Sequence, residues 1–301
     1  MNMRLLGPLA ALLLLPGCGD APASDQVHSD GNALPAPEPA LWEITGEDGN
    51  LEGWLFGTIH ALPDGVNWRT EKLDQALRRS EALVVEIADL DDQQAIARTF
   101  YQLALTPDQP VLQDRVSPDR RRKLAALMEQ GGFDKGEFQS TETWAAAITF
   151  AQLASVGDSE NGVDRALIRG FGGGPVIELE GARKQLGIFD RLPEKEQIDL
   201  LHAVIDEGAV AQRDDPRKLM VTWLTGNLEQ LELENGAGML ADPELREALL
   251  VKRNTLWVRR LRELFAGTGP LMIAVGAAHM TGPDGLPALL GERGYGVTRI
   301  Q

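Results

Sequence analysis

The chain has one cysteine, Cys18, in 301 residues. No intramolecular disulfide framework is therefore possible, and the body of the chain offers neither a thiolate zinc site nor a cysteine nucleophile. Basic residues are scarce as well. Lys and Arg number 29 against 45 Asp and Glu, a formal charge of −16. A surface this acidic repels nucleic acid and anionic lipid headgroups, so neither is an expected ligand, whereas cations are tolerated. There is no Gly-Lys-Ser/Thr to complete a phosphate loop: Gly172-Gly173-Gly174 precedes a strand rather than following one, and reads as a turn. There is no Gly-x-Ser-x-Gly elbow either, which removes the commonest serine hydrolase. Histidine occurs four times, so each one is informative.

At the N-terminus, Arg4 is followed by an apolar run from Leu5 to Leu15 and then Pro16-Gly17-Cys18. About twenty residues are needed to span a bilayer, so this stretch is too short for a transmembrane helix and reads as a secretory signal over residues 1–17. Leu15-Pro16-Gly17-Cys18 resembles the bacterial lipoprotein cleavage box, which implies acylation of Cys18 and an exported protein at the bacterial cell envelope. Residues 18–40 hold four prolines (Pro22, Pro35, Pro37, Pro39) and no apolar periodicity, the composition of an extended spacer. His28 lies in it and reads as solvated. The folded domain is expected over residues 41–301, touching the membrane through its lipid anchor only.

Apolar periodicity then predicts a hairpin over Leu41–Thr45 and Leu51–Ile59, a helix over Glu71–Arg79 capped by Thr70, and a strand over Ala82–Ile87. Helical spacing follows over Asp91–Leu105, Pro118–Gly131 (capped by Ser117), Thr141–Ser155 and Gly162–Arg169. A short strand, Val176–Glu180, interrupts the helices, which resume at Pro193–Gln212, Pro216–Gly226 and Pro243–Phe265, the last capped by Asp242. His202 lies in the first of these, flanked by Leu200, Leu201 and Val204, and reads as a packed helix residue. Pro270–Val275 is a strand, Leu286–Gly291 a helix and Tyr295–Ile300 a closing strand. The class is α/β: a mostly parallel central sheet built from both chain ends, with a helical block in the middle.

One phrase occurs twice. Gly57-Thr58-Ile59-His60 precedes Pro63-Asp64-Gly65, and Gly276-Ala277-Ala278-His279 precedes Pro283-Asp284-Gly285. Each follows a strand, and sites in open α/β sheets form beyond the carboxyl ends of parallel strands. Those ends deliver His60, Glu86, Glu178 with Glu180, and His279. The glycines are expected to let the backbone turn sharply away from the sheet, and Glu178 and Glu180, two apart, to share one face. Two imidazoles with one or two carboxylates suit a divalent ion such as Mn, Co or Zn, which activates bound water while a spare Glu serves as base. Two histidines that merely cap strands are the plain alternative.

Taken with Leu41-Trp42-Glu43-Ile44, Leu83-Val84-Val85-Glu86, Gly162-Val163-Asp164, Val176-Ile177-Glu178-Leu179-Glu180, and Arg253-Asn254 with Trp257, the paired motifs resemble the TraB/PrgY/GumN family, which includes the animal Tiki proteins. The resemblance runs from about residue 41 to the end. It implies a fold related to the erythromycin-esterase and ChaN-like group and, through the Tiki members, metal-dependent proteolysis. Carried over, His60 and His279 become metal ligands, and Glu86 a ligand or general base. Glu180 becomes the strand-end catalytic carboxylate, and Arg253 a stabiliser of an oxyanion or carboxylate. Asp164 either joins this site or caps the helix it begins.

The function expected from these readings is a membrane-tethered, metal-dependent hydrolase acting on a peptide or small molecule. The alternatives are a surface lipoprotein that binds a peptide, metal or haem without turnover, and an esterase.

Overall fold

A computed structural model describes residues 34–154, 157–211 and 217–301. The expected signal over residues 1–17, Cys18, His28 and most of the spacer lie outside the described residues, as does Pro216. Residues 34–40 form no regular element.

Six strands form one sheet: β1 (Leu41–Thr45), β2 (Leu51–Thr58), β3 (Ala82–Val85), β4 (Val176–Glu178), β5 (Leu271–Gly276) and β6 (Gly296–Arg299), in the order β4-β3-β5-β2-β1-β6. The pairs β4/β3, β3/β5 and β5/β2 are parallel, while β1 runs against both β2 and β6. The sheet is thus mostly parallel and built from both chain ends, as the strand pattern implied. Pairing β2 with β5 sets Gly57 opposite Val275 and Thr58 opposite Gly276. The two Gly-x-x-His motifs therefore leave the sheet side by side, in the same direction.

Both sheet faces are covered, which explains the nearly continuous apolar runs in β3 and β5. One face buries Trp54, Phe56, Leu83, Val85, Met272 and Ala274 against helices Glu71–Arg79, Val163–Gly170 and Lys218–Leu224. The other buries Trp42, Leu55, Val84, Ile273 and Val275 against Trp257, Val258 and Leu261 of helix Lys252–Phe265. A separate helical core, centred on Trp144, Phe150, Leu186 and Leu201, is the expected middle block. Among the described residues, no helix is long and apolar enough to cross a membrane.

Two departures bear on the site. The long helix beginning at Pro243, capped by Asp242 as expected, contains a π turn over Glu247–Val251 immediately before Lys252–Phe265. Also, β4 ends at Glu178, and Gly181 takes φ +78° to start a helix, Ala182–Asp190, that periodicity did not suggest. Strand alternation therefore fails between Glu178 and Glu180. Glu178 is exposed and accepts from the Ala88 N–H at 3.4 Å, away from the histidines.

Candidate active site at the paired Gly-x-x-His motifs

Neither motif glycine adopts a left-handed conformation, so the expected sharp turn is not their role. Both allow close approach instead. A Cβ on Gly57 would stand 3.0 Å from the Ala277 Cα. A Cβ on Gly276 would stand 3.3 Å from both Glu86 Oε1 and His60 Nε2, and 3.7 Å from His279 Cδ2. The bare face of Gly276 is thus the point on which both histidines and Glu86 converge.

The two imidazoles are held alike and tuned in opposite directions. His60 Nδ1 lies 2.6 Å from Asp164 Oδ2, while the Thr58 hydroxyl donates to Asp164 Oδ1 at 2.5 Å. Asp164 is buried and spends its carboxylate on these two groups rather than on capping its helix. Gly162 lets that helix start against β2, since a Cβ there would lie 2.5 Å from the His60 carbonyl oxygen. Burial works against protonating His60, but the Asp164 carboxylate outweighs it and raises the imidazole above its usual 6.5. Among the described residues, His60 Nε2 has no hydrogen-bond partner.

His279 Nδ1 meets Asn254 Oδ1 at 2.6 Å, so that nitrogen carries the proton and Nε2 is an acceptor. The acceptor faces Arg253 Nη1 at 3.1 Å. Burial, reinforced by this guanidinium, pushes His279 down to about 3. His279 stays neutral in the fold while an unfolded histidine takes a proton near 6.5, so acid favours unfolding from 6.5 down to about 3. Each pH unit below 6.5 is expected to cost up to about 1.4 kcal/mol through this residue. Urea titrations of wild type and His279→Leu between pH 6.5 and about 5 check it. The wild type should lose stability more steeply, and equal slopes would refute the assignment. The raised His60 acts in the opposite sense near pH 6.5, favouring the fold as the pH falls, and is present in both proteins.

Arg253 joins the remaining groups. Its Nε donates to Glu180 at 3.1 Å; Nη2 donates to Glu86 Oε2 at 2.6 Å and to Glu180 Oε2 at 3.0 Å; Nη1 donates to the Leu249 carbonyl at 3.0 Å as well as facing His279. Leu249 belongs to the π turn. The guanidinium also lies 4.7 Å from the Trp257 ring, whose Nε1 donates to Glu180 at 2.9 Å. Burial opposes charge on Arg253, and Glu86 and Glu180 more than offset it. A guanidinium has five N–H donors, and all five are taken. The oxyanion-stabilising role carried over for Arg253 therefore does not fit, because no donor is left to give.

Glu86 is equally committed. Oε1 accepts from the Gly276 N–H at 2.8 Å; Oε2 accepts from Arg253 and, at 3.0 Å, from Gln185 Nε2. Burial alone would raise this carboxyl, but Arg253 beside it brings it below the usual range. A carboxylate so stabilised is a weak base, and Glu180, held by Arg253 and Trp257, is placed as a clamp. The group left with a free nitrogen and a raised pKa is His60.

The Nδ1 contacts of the two histidines are shared with metal sites, but the remaining groups do not suit a divalent ion. Fixing Nδ1 with an oxygen and turning Nε2 inward is the arrangement metal-ligating histidines use. However, the Arg253 cation faces His279 Nε2, and both Glu86 oxygens hold donors. Among the described residues, no three His, Cys, Asp or Glu side chains form a group able to hold a metal ion. As placed, the residues are complementary to a guanidinium, and they do not fit a metal.

A cavity of about 360 Å³ opens on His60, Arg253, Gly276 and His279, with an apolar wall that includes Trp223, Leu231, Met239 and Leu249. Its volume suits a small ligand or a few residues of a chain. The profile of the TraB/PrgY/gumN family matches residues 40–299. The chain belongs to this family. Two curated relatives, each called uncharacterized protein YbaP, come from Shigella flexneri and Escherichia coli (strain K12). Each is 27% identical over 252 residues, covering 80% of this chain and 89% of the relative. No solved structure gives a significant match.

Of the family-matched residues, His60, Glu86, Asp164, Glu180, Arg253 and His279 are brought together and Glu178 is not. Asn254, which sets the His279 tautomer, was legible only as part of the Arg253-Asn254 match. Gln185 had no sequence signal. His202 is a structural residue: its Nε2 accepts from the Ser117 N–H at 3.1 Å.

Proposed function

We propose that this protein is a hydrolase of peptide or ester bonds in which His60 is the general base. The observation that carries the reading is the His60–Asp164 pair on a histidine that lines the cavity, its second nitrogen having no hydrogen-bond partner among the described residues. A water beside His60 gives a proton to Nε2 as its oxygen attacks the substrate carbonyl carbon. Asp164 fixes the tautomer and stabilises the imidazolium, which then returns the proton to the departing amine or alcohol. Arg253 keeps Glu86, Glu180 and His279 in place. The metal-dependent form implied by the Tiki members would require Arg253 to leave His279.

His60 must be neutral to act, and its pKa is raised, so kcat/KM should rise with pH along a limb centred above 6.5. Asp164→Asn removes the charge that raises it. That variant should move the limb to lower pH and lower kcat/KM by about 10²-fold or more. A pH profile on quenched-fluorescent peptides and p-nitrophenyl esters measures both, and an unmoved limb would eliminate His60 as the base.

The proposal places the enzyme at the bacterial cell envelope on an acyl chain at Cys18, supported by the sequence of residues 1–18. Metabolic labelling with a fatty-acid probe should mark wild type and spare Cys18→Ser. Equal labelling, or none in either, would overturn the anchor.

A further inference from the structure

A second and much smaller pocket, of about 10 Å³, also borders His60. Its polar lining is His60, Glu86, Asp164 and Gln185, and apolar side chains of β3 and the loop after it complete the wall. The volume is that of about one water. His60 and its imidazole partner Asp164 thus border a space that the proposed substrate cavity does not include.

Gln185 makes this pocket more than a gap. It sits on helix Ala182–Asp190 with 1% of its surface exposed, and its Nε2 donates to Glu86 Oε2 at 3.0 Å. Its Oε1 is buried and has no hydrogen-bond partner. Rotating the amide offers no escape, because Oε1 would then face the Glu86 carboxylate, acceptor against acceptor. A buried carbonyl oxygen without a donor is costly, and native proteins supply one from ordered water. Water needs two to four polar partners, and this pocket provides acceptors on Gln185, Glu86 and Asp164 for its two O–H donors.

We propose that this pocket binds one resident water, anchored by Gln185 Oε1. The water links Gln185 and Glu86 to the His60–Asp164 pair, which makes Gln185 a positioning residue for the base. The functional half of the proposal rests on the hydrolase reading; the binding half does not. Gln185 reaches the proposed reaction through the water and Glu86, never through substrate.

High-resolution diffraction from wild type and from Gln185→Met tests the binding half. Met fills a similar volume without the acceptor or the amide donor. Wild type should show one water peak within hydrogen-bonding distance of Gln185 Oε1, and the variant should not. An empty wild-type pocket overturns the proposal, whatever the turnover. On peptide and ester panels, Gln185→Met should lower kcat by about tenfold, leave KM unchanged, and displace the acid limb of the pH profile. A water peak with unchanged kcat and limb would overturn the positioning role. Absence of turnover even in wild type would remove the hydrolase reading and the positioning role together, while the water peak still decides the pocket.

Discussion

Arg253→Met is expected to lower the unfolding free energy by about 3–5 kcal/mol, the usual cost of removing one partner from a buried ion pair. Glu86 and Glu180 keep only 6% and 9% of their side-chain surface exposed, and Arg253 itself 6%. Removing the guanidinium leaves two buried carboxylates without the cation that they share. Attraction within such a cluster roughly offsets the desolvation of its members, so the penalty comes from the charge left behind. Arg253→Lys should recover part of the loss, because one ammonium cannot give five donors in a fork. Arg253→Met combined with Glu86→Gln and Glu180→Gln should lie closer to wild type than the sum of the single changes. Urea denaturation at neutral pH measures all of these. A cost below about 1 kcal/mol for Arg253→Met would mean that Arg253 is a surface-like pair and not the group on which the site is assembled.

His60→Ala should reduce hydrolysis by about 10²–10⁴-fold, the range that a positioned general base contributes. Its side chain is 20% exposed, and Asp164 keeps the Thr58 hydroxyl, so unfolding by urea should change far less than for Arg253→Met. The contrast separates roles: His60 is expected to matter to rate and Arg253 to assembly. A His60→Ala protein that turns over peptide and ester at the wild-type rate would remove the proposed function, whatever its stability.

The strand ends were legible because the chemistry-bearing residues interrupt strongly apolar runs: Leu83-Val84-Val85 before Glu86 and Leu271 to Val275 before the second motif. Two repeats of Gly-x-x-His on strands buried on both faces left few places for the imidazoles except one sheet edge. Several roles were not legible. The motif glycines read as sharp turns, yet Gly57 and Gly276 matter for what stands beside them, and contacts across β2 and β5 are invisible in a linear pattern. Glu178 and Glu180 looked paired because alternation assumes that the strand continues, and Gly181 ends it. Helix Ala182–Asp190 hid because Gly187 and the buried polar Gln185 break its apolar spacing. The role of Arg253 depends on where its five donors go, which a linear sequence does not show.

In the proposed mechanism His60 acts as a base beside a guanidinium that occupies the nitrogen His279 would otherwise offer to an ion. Turnover of the peptide and ester panels after exhaustive chelation, with wild type beside His60→Ala and elemental analysis of the same samples, tests this most directly. Chelated wild type should retain its turnover with no stoichiometric metal, and His60→Ala should lose it. Turnover that vanishes on chelation and returns with Mn, Co or Zn in proportion to bound metal would contradict the account.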